Sequence, residues 1–236
     1  MNALERWQTA ITSNLASGSV TGFKKDETTF SSALATTSAL QSGDSSSAVD
    51  QLMPQATSQV NDSQGALRQT GSALNFAVQG PGYFQVQTPD GGKAYTRNGE
   101  FHLNASGTLV NNQGLAVLSD SGPIKLDMTL GPVTVDPTGQ ISQGDTALGK
   151  LTVVDLSKSG QLQRSGNGLM APADGSVPKP VAAPVIMQGY VEESNVVPLQ
   201  EMVNLISVSR AYEVSQKLIT SMDQTSRSAV ETLGTP

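Results

Sequence analysis

The chain has 236 residues, of which 37% are hydrophobic, 4% aromatic and 14% charged, against about a quarter charged in a typical globular protein. A formal net charge of -6 gives no basic footprint for nucleic acid or an anionic membrane, and no stretch approaches the roughly 20 apolar residues of a membrane span. The absence of Cys excludes disulfides and thiolate metal sites, and a single His is too few for an imidazole zinc site.

Residues 3–16 place Leu4, Trp7, Ile11 and Leu15 at steps of three and four. That spacing predicts an N-terminal helix stopped at Ser17-Gly18-Ser19, with the only Trp as the anchor of its apolar stripe. Glu5, Gln8, Thr9 and Thr12 interrupt what would be the apolar region of a cleavable signal, so none is expected. Val20 to Phe30 reads as a turn followed by an extended or helical continuation. Residues 31–50, dominated by Ser, Ala, Thr, Gly and Asp, read as a connector.

The period then changes to two. Short strands are predicted at Tyr83 to Thr88, Ala94 to Arg97, Phe101 to Leu103, Thr108 to Val110, Ile124 to Leu126, Val133 to Val135, Gln140 to Ser142 and Leu151 to Leu156. Pro89-Asp90-Gly91-Gly92, Asn104 to Gly107 and Asp136-Pro137-Thr138-Gly139 supply turns between them. Regular short strands of this kind argue a β-rich domain from about residue 70 to residue 190.

After Gly189 a helical pattern runs to Ala229. Leu205, Val208, Tyr212, Ser215, Ile219, Met222, Ser226 and Ala229 form a seam with the steps of a coiled coil, over roughly 50 Å at 1.5 Å per residue. Pro198 suits the first turn, and Ser194 and Asn195 are capping candidates. Periodicity leaves open whether this helix docks on its own domain or pairs with the N-terminal stripe; pairing gives the expected fold class, α+β, with paired N- and C-terminal helices forming a coiled-coil core plus a central all-β domain.

Catalytic chemistry has little to build on. His102 alternates with Phe101 and Leu103 and is expected on the wet side of a strand. Gly80-Pro81-Gly82 lacks the third Gly of a dinucleotide fingerprint and precedes a strand. Glu192, Glu193, Asp136, Asp145 and Asp155 are the carboxylates from which an acid–base pair would be drawn, with Asp136 and Asp145 explained by turn chemistry. No cofactor is expected.

Three blocks of the chain carry a resemblance. Asn14-Leu15-Ala16 with Thr21-Gly22-Phe23-Lys24 forms the first. Phe76 to Phe84, Ala94 to Gly99, and Leu109-Val110 with Gly114 form the second. Gly189 to Asn195, Glu201 to Ile206 and Arg210-Ala211-Tyr212-Glu213 form the third. In order and content they resemble the flagellar basal-body rod and hook protein family, and within it the proximal rod type more than the distal. Ser17 stands where the family has Asn, and the helix before Asn14 is about one to two turns shorter than the family pattern.

The resemblance implies a non-enzymatic rod subunit in the periplasm-spanning basal body, built as segments 1–30, 31–70, 71–190 and 191–236. Residues 1–30 and 191–236 would form the core of the tube, and 71–190 a β-rich outer domain. It implies polymerisation with further copies and with neighbouring rod and hook proteins, and torque transmission through Leu4, Trp7, Ile11, Leu15, Leu205, Val208, Tyr212, Ile219 and Met222. Export by the flagellar type III apparatus without a signal peptide follows, with Phe30 and Leu34 resembling an export motif. Neither nucleic acid nor direct membrane insertion is implied. The alternative is a β-rich extracellular surface-fibre or glycan-binding module using exposed Tyr83, Tyr95 and Phe101.

Overall fold

The computed structural model describes residues 2–31, 55–127, 131–144, 146–156, 162–166, 168–172 and 178–234. It divides into two compact units. The first comprises Met1–Ala16, Asp26–Gln59 and Val197–Pro236, and the second Ser17–Lys25 and Val60–Val196.

In the first unit an N-terminal helix spans Asn2–Ser17, with Glu5 in the first turn, where it favours the positive end of the helix dipole. Ala10, Ile11 and Asn14 are its buried residues, and Leu4, Trp7 and Leu15 are half-buried. Strands β1 (Asp26–Ser31) and β2 (Gln55–Val60) pair with each other, and Thr29 and Thr57 hydroxyls meet across them at 3.1 Å. The continuation after the turn is therefore extended, not helical.

A C-terminal helix runs Pro198–Gly234. Neither Ser194 nor Asn195 caps it. The helix is entered through Val197, whose carbonyl accepts from Gln200 and Glu201 amides at 3.0 and 3.2 Å. Asn14 Nδ2 donates to Glu201 Oε2 at 3.4 Å and to the Asp26 carbonyl at 2.9 Å, while Asp26 N donates to Asn14 Oδ1 at 2.8 Å.

The expected coiled-coil core is overturned. Among the described residues the chain has one helix at each end and is otherwise β-rich. Of the anticipated seam, Val208 is 0% exposed and Leu205 and Tyr212 are half-buried, but Ile219 and Met222 stand 46% and 69% exposed. A heptad seam needs a partner along its whole length. A 16-residue helix cannot supply one for a 37-residue helix.

The second unit is built of short strands. In chain order they are β3 (Leu67–Gln69), β4 (Phe76–Gln79), β5 (Tyr83–Gln87), β6 (Lys93–Thr96), β7 (Phe101–Leu103), β8 (Leu109–Asn111), β9 (Leu118–Ser119), β10 (Gly122–Pro123), β11 (Val133–Val135) and β12 (Gln140–Gln143). They continue with β13 (Thr146–Lys150), β14 (Val153–Asp155), β15 (Leu162–Arg164), β16 (Met170–Pro172), β17 (Lys179–Pro180), β18 (Val185–Gln188) and β19 (Tyr190–Glu192). The largest sheet is antiparallel with order β15-β16-β6-β5-β14-β17. The closing strands return to the opening ones, β18 on β4 and β19 on β3.

Both faces of the large sheet are covered. Phe84, Val86, Ala94 and Val153 join the main core with Phe76, Phe101 and Leu109, where Phe84 and Phe101 meet edge-on at 5.4 Å. Tyr83, Tyr95, Val154 and Met170 form a second cluster with Leu156. Period two on β5 thus separates two buried faces rather than inside from outside.

One turn design recurs. Thr88, Asn104, Asn111 and Asp136 each accept from the amide of the residue three places on and donate to the carbonyl four places on. The third follower is Gly91, Gly107, Gly114 or Gly139, all at positive φ. These are hairpin loops in which a tight turn is followed by a left-handed Gly. At Asn104, Asn111 and Asp136 the side-chain oxygen also accepts two downstream amides. Hydrogen bonds, that of Thr138 foremost, hold the Asp136 carboxyl below its ordinary range.

Candidate functional site: a buried charge cluster beneath the first turn

The segment Ser17–Lys25 opens the second unit, and its shape is dictated by Gly22. That residue has φ of 69°, and a Cβ on it would lie 2.3 Å from Asn98 N and 2.4 Å from Arg97 C. Only a residue without a side chain allows the two backbones so close. Gly22 N donates to the Glu192 carbonyl at 2.7 Å, and Thr21 Oγ1 to Glu100 Oε1 at 3.0 Å. Phe23 is buried under the Arg164 guanidinium, 4.3 Å from its ring, and Arg164 also donates to the Lys24 carbonyl at 2.6 Å.

Lys24 is wholly buried. Its Nζ donates to Glu192 Oε1 at 2.7 Å and to the Ser63 carbonyl at 2.8 Å. The same carboxylate oxygen accepts the Gly65 amide at 3.0 Å, and Oε2 lies 3.3 Å from Arg97 Nη1. Arg97 is 2% exposed and donates to the carbonyls of Val78 and Gly80. One carboxylate thus faces two buried cations. Burial lowers the Lys24 ammonium from its ordinary value, and Glu192 opposes that fall. Tyr83, under Arg97 at 5.3 Å, donates its hydroxyl to Asp62 Oδ1. Burial first, and Asp62 second, push its phenol up.

Asn195 gathers the backbone around the cluster. Its Oδ1 accepts the Lys25 amide at 2.7 Å, and its Nδ2 donates to the carbonyls of Asn61 and Ser63, each at 3.0 Å. Asn61 N in turn donates to the Lys25 carbonyl at 2.9 Å. The polar atoms of this cluster are aimed at chain segments and at each other, which is the chemistry of a fastening.

Of the residues singled out from the sequence, Glu192, Tyr83 and Asn195 belong to this cluster, and the others lie elsewhere. Leu4, Trp7, Ile11 and Leu15 belong to the N-terminal helix, and Leu205, Val208, Tyr212, Ile219 and Met222 to the C-terminal one. Phe30 falls in β1, and Leu34 lies outside the described residues. Tyr83, Tyr95 and Phe101, expected to be exposed, are 1%, 5% and 5% exposed and belong to the two cores. That removes the aromatic surface on which the glycan-binding alternative stood.

His102 is exposed on β7 beside buried Phe101, as alternation requires. Glu192 is engaged by Lys24 and Arg97, while Glu193 pairs with Arg68 in solvent at 2.9 Å. Among the described residues no group of three or more His, Asp or Glu is placed to hold a metal ion, and no helix is long and apolar enough to cross a membrane. The cluster itself was hidden by sequence distance, although Lys24, Arg97 and Glu192 each fall in one of the three blocks noted from the sequence.

In this fold, buried polar groups of the cluster bind remote chain segments together. The model of the flagellar hook protein FlgE/F/G D1 domain matches residues 77–143, and that of the flagellar basal body rod FlgEFG protein C-terminal region matches residues 187–232. The flagellar basal-body rod protein FlgF of Caulobacter vibrioides is 36% identical over 232 residues, 98% of this chain and 93% of that protein. FlgF of Rhizobium meliloti is 34% identical, again over 98% and 93% of the two chains. The basal-body rod protein FlgG of Buchnera aphidicola subsp. Schizaphis graminum is 32% identical over 91% of this chain and 89% of its own. The chain belongs to the flagellar basal-body rod protein family, of the FlgF/FlgG type.

Proposed function

We propose that this protein is a structural, non-catalytic subunit of the bacterial flagellar basal-body rod. The observation that carries the reading is the extent of the similarity, which reaches 98% of the chain in three FlgF proteins. Five FlgG proteins match over 91 to 95% of it at 29 to 34% identity, against 34 to 36% for the FlgF proteins, which favours the FlgF type. The subunit polymerises through its terminal segments with further copies of itself and with neighbouring rod and hook proteins, and passes torque along the rod. It is exported by the flagellar type III apparatus, with Phe30 and Leu34 as the export motif.

The C-terminal helix supports assembly through the terminal segments. Leu199, Met202, Val203 and Ile206 are 51 to 74% exposed on its first turns, and Ile219 and Met222 extend the apolar exposure further along. Apolar side chains in such number on one helix are a surface for protein contact rather than for water. The test is incorporation. A tagged protein should co-purify with basal bodies, and Ile219→Asp with Met222→Asp should abolish its incorporation while residues 60–196 keep their fold, read by limited proteolysis. Absence of the wild-type protein from basal bodies, or full motility in its deletion strain, overturns the reading.

A further inference from the structure

The positions of the hydrogen bonds around Asn195 relative to the course of the chain lead to one further inference, which rests on the rod reading. The chain passes between its two units four times, after Ala16, Lys25, Gln59 and Val196. Three of these passages are tied together inside the second unit, within two residues of the crossing. Lys25 is the last residue before one passage, and its amide is held by Asn195 Oδ1 while its carbonyl accepts from Asn61 N. Asn61 follows another passage by one residue, and Asn195 Nδ2 donates to its carbonyl and to that of Ser63. Asn195 itself precedes the last passage by one residue, and its own amide donates to Phe23 O at 3.3 Å. A single carboxamide therefore contacts all three strands at once.

The neighbouring cluster reinforces the tie. Ser63 O accepts from both Asn195 and Lys24, and Lys24 is anchored in turn by Glu192. A carboxamide is the one side chain with an acceptor and two donors in a fixed plane, so it can bridge an amide on one strand and carbonyls on another. Ala at this position leaves the three strands joined pairwise at most, and Asp keeps the acceptor for Lys25 while losing both donors.

We propose that Asn195 is the positioning residue that keeps the three passages in one fixed bundle, so that twist delivered along any of them enters the second unit through all three. A chain crossing held by one strand swivels about its single bonds. Three crossings tied at one point do not.

Two measurements on Asn195→Ala and Asn195→Asp test this. On the purified full chain, hydrogen exchange at the Asn61 amide in both variants, and at the Lys25 amide in Asn195→Ala, should accelerate roughly tenfold to a hundredfold, while Phe84 and Val86 in the core stay as protected as in the parent. In cells carrying either variant, basal bodies should retain the protein and swimming should fall off more steeply than the parent's as medium viscosity rises. Faster exchange with an unchanged viscosity response overturns the proposal, as does loss of protection throughout residues 60–196. Should Asn195→Ala fail to enter basal bodies, Asn195→Asp decides by the same two readouts. Absence of the wild-type protein from basal bodies would overturn the rod reading instead, and the exchange result would still decide whether Asn195 ties the passages.

Discussion

The second unit and the C-terminal helix invert each other's surface chemistry. The second unit buries Lys24, Arg97 and Glu192 almost completely, whereas the helix leaves Leu199, Met202 and Ile206 more than half exposed. A buried charge trio is stable only when every member is present, so it marks a body that is complete in one chain. An exposed apolar helix face is the opposite case, with its favourable burial still to be gained. The contrast separates a region whose charges are paired within the chain from a helix whose apolar face is exposed.

The most severe way to break that contrast is to remove the shared anion. Glu192→Leu leaves two buried cations without a carboxylate and should cost about 3–5 kcal/mol, measured by urea denaturation of the full chain. Lys24→Met should cost less, because Arg97 still faces Glu192 at 3.3 Å. If the two variants lose the same stability, the carboxylate is not what balances the cluster.

Backbone approach comes next. A Cβ on Gly99 would fall 1.6 Å from Phe76 O, so Gly99→Ala forces β4 away and should cost about 3 kcal/mol. Gly71, at φ of 72° with nothing within 4 Å, provides the control. Gly71→Ala should cost about 1–2 kcal/mol, from the left-handed backbone alone. Equal losses at the two sites would refute the close approach.

The pH dependence sharpens the comparison more gently. The folded Tyr83 phenol lies above its ordinary 10.0, so its contribution is complete below that pH and is lost as pH rises above it. Lys24, held below 10.5, acts in the opposite sense, because the unfolded chain binds the extra proton and stability rises with pH until 10.5. Stability should therefore decline above about pH 10.5, and Tyr83→Phe should flatten the decline without abolishing it, since burial raises Tyr95 as well. An unaltered slope in the variant would place the titration elsewhere.

The smallest effect belongs to the helix. Leu199→Asn and Met202→Gln should change the stability of the isolated chain by less than about 0.5 kcal/mol, as substitutions at exposed positions do. A larger loss, measured in the same denaturation series, would mean that the face is already covered.

Local rules carried the sequence reading a long way and then failed at a definable point. Steps of three and four placed the two helices, and turn chemistry at Asn104 and Asp136 placed hairpins whose side chains bond as those residue types prefer. The coiled-coil core failed because a seam records which residues are apolar, not what lies opposite them. Val208 is buried and Met222 is not, although they occupy equivalent positions of one pattern. Tyr83 and Tyr95 were misplaced because the sheet is covered on both faces, so alternation could not say which side was wet. Lys24 and Glu192 stand 168 positions apart, and no local period connects them. What did connect them was their membership of resembling blocks, which marked the residues without giving the reason.

The recurring hairpin loops have a practical consequence. Those at Asn104 and Asn111 close on their own side chain and backbone, so an exposed residue at the tip, Ala105 or Asn112, contributes little to the closure. In a chain with no Cys of its own, a thiol introduced at either tip would be chemically unique. A fluorophore attached there would report the orientation of an individual subunit while leaving the core and the charge cluster untouched.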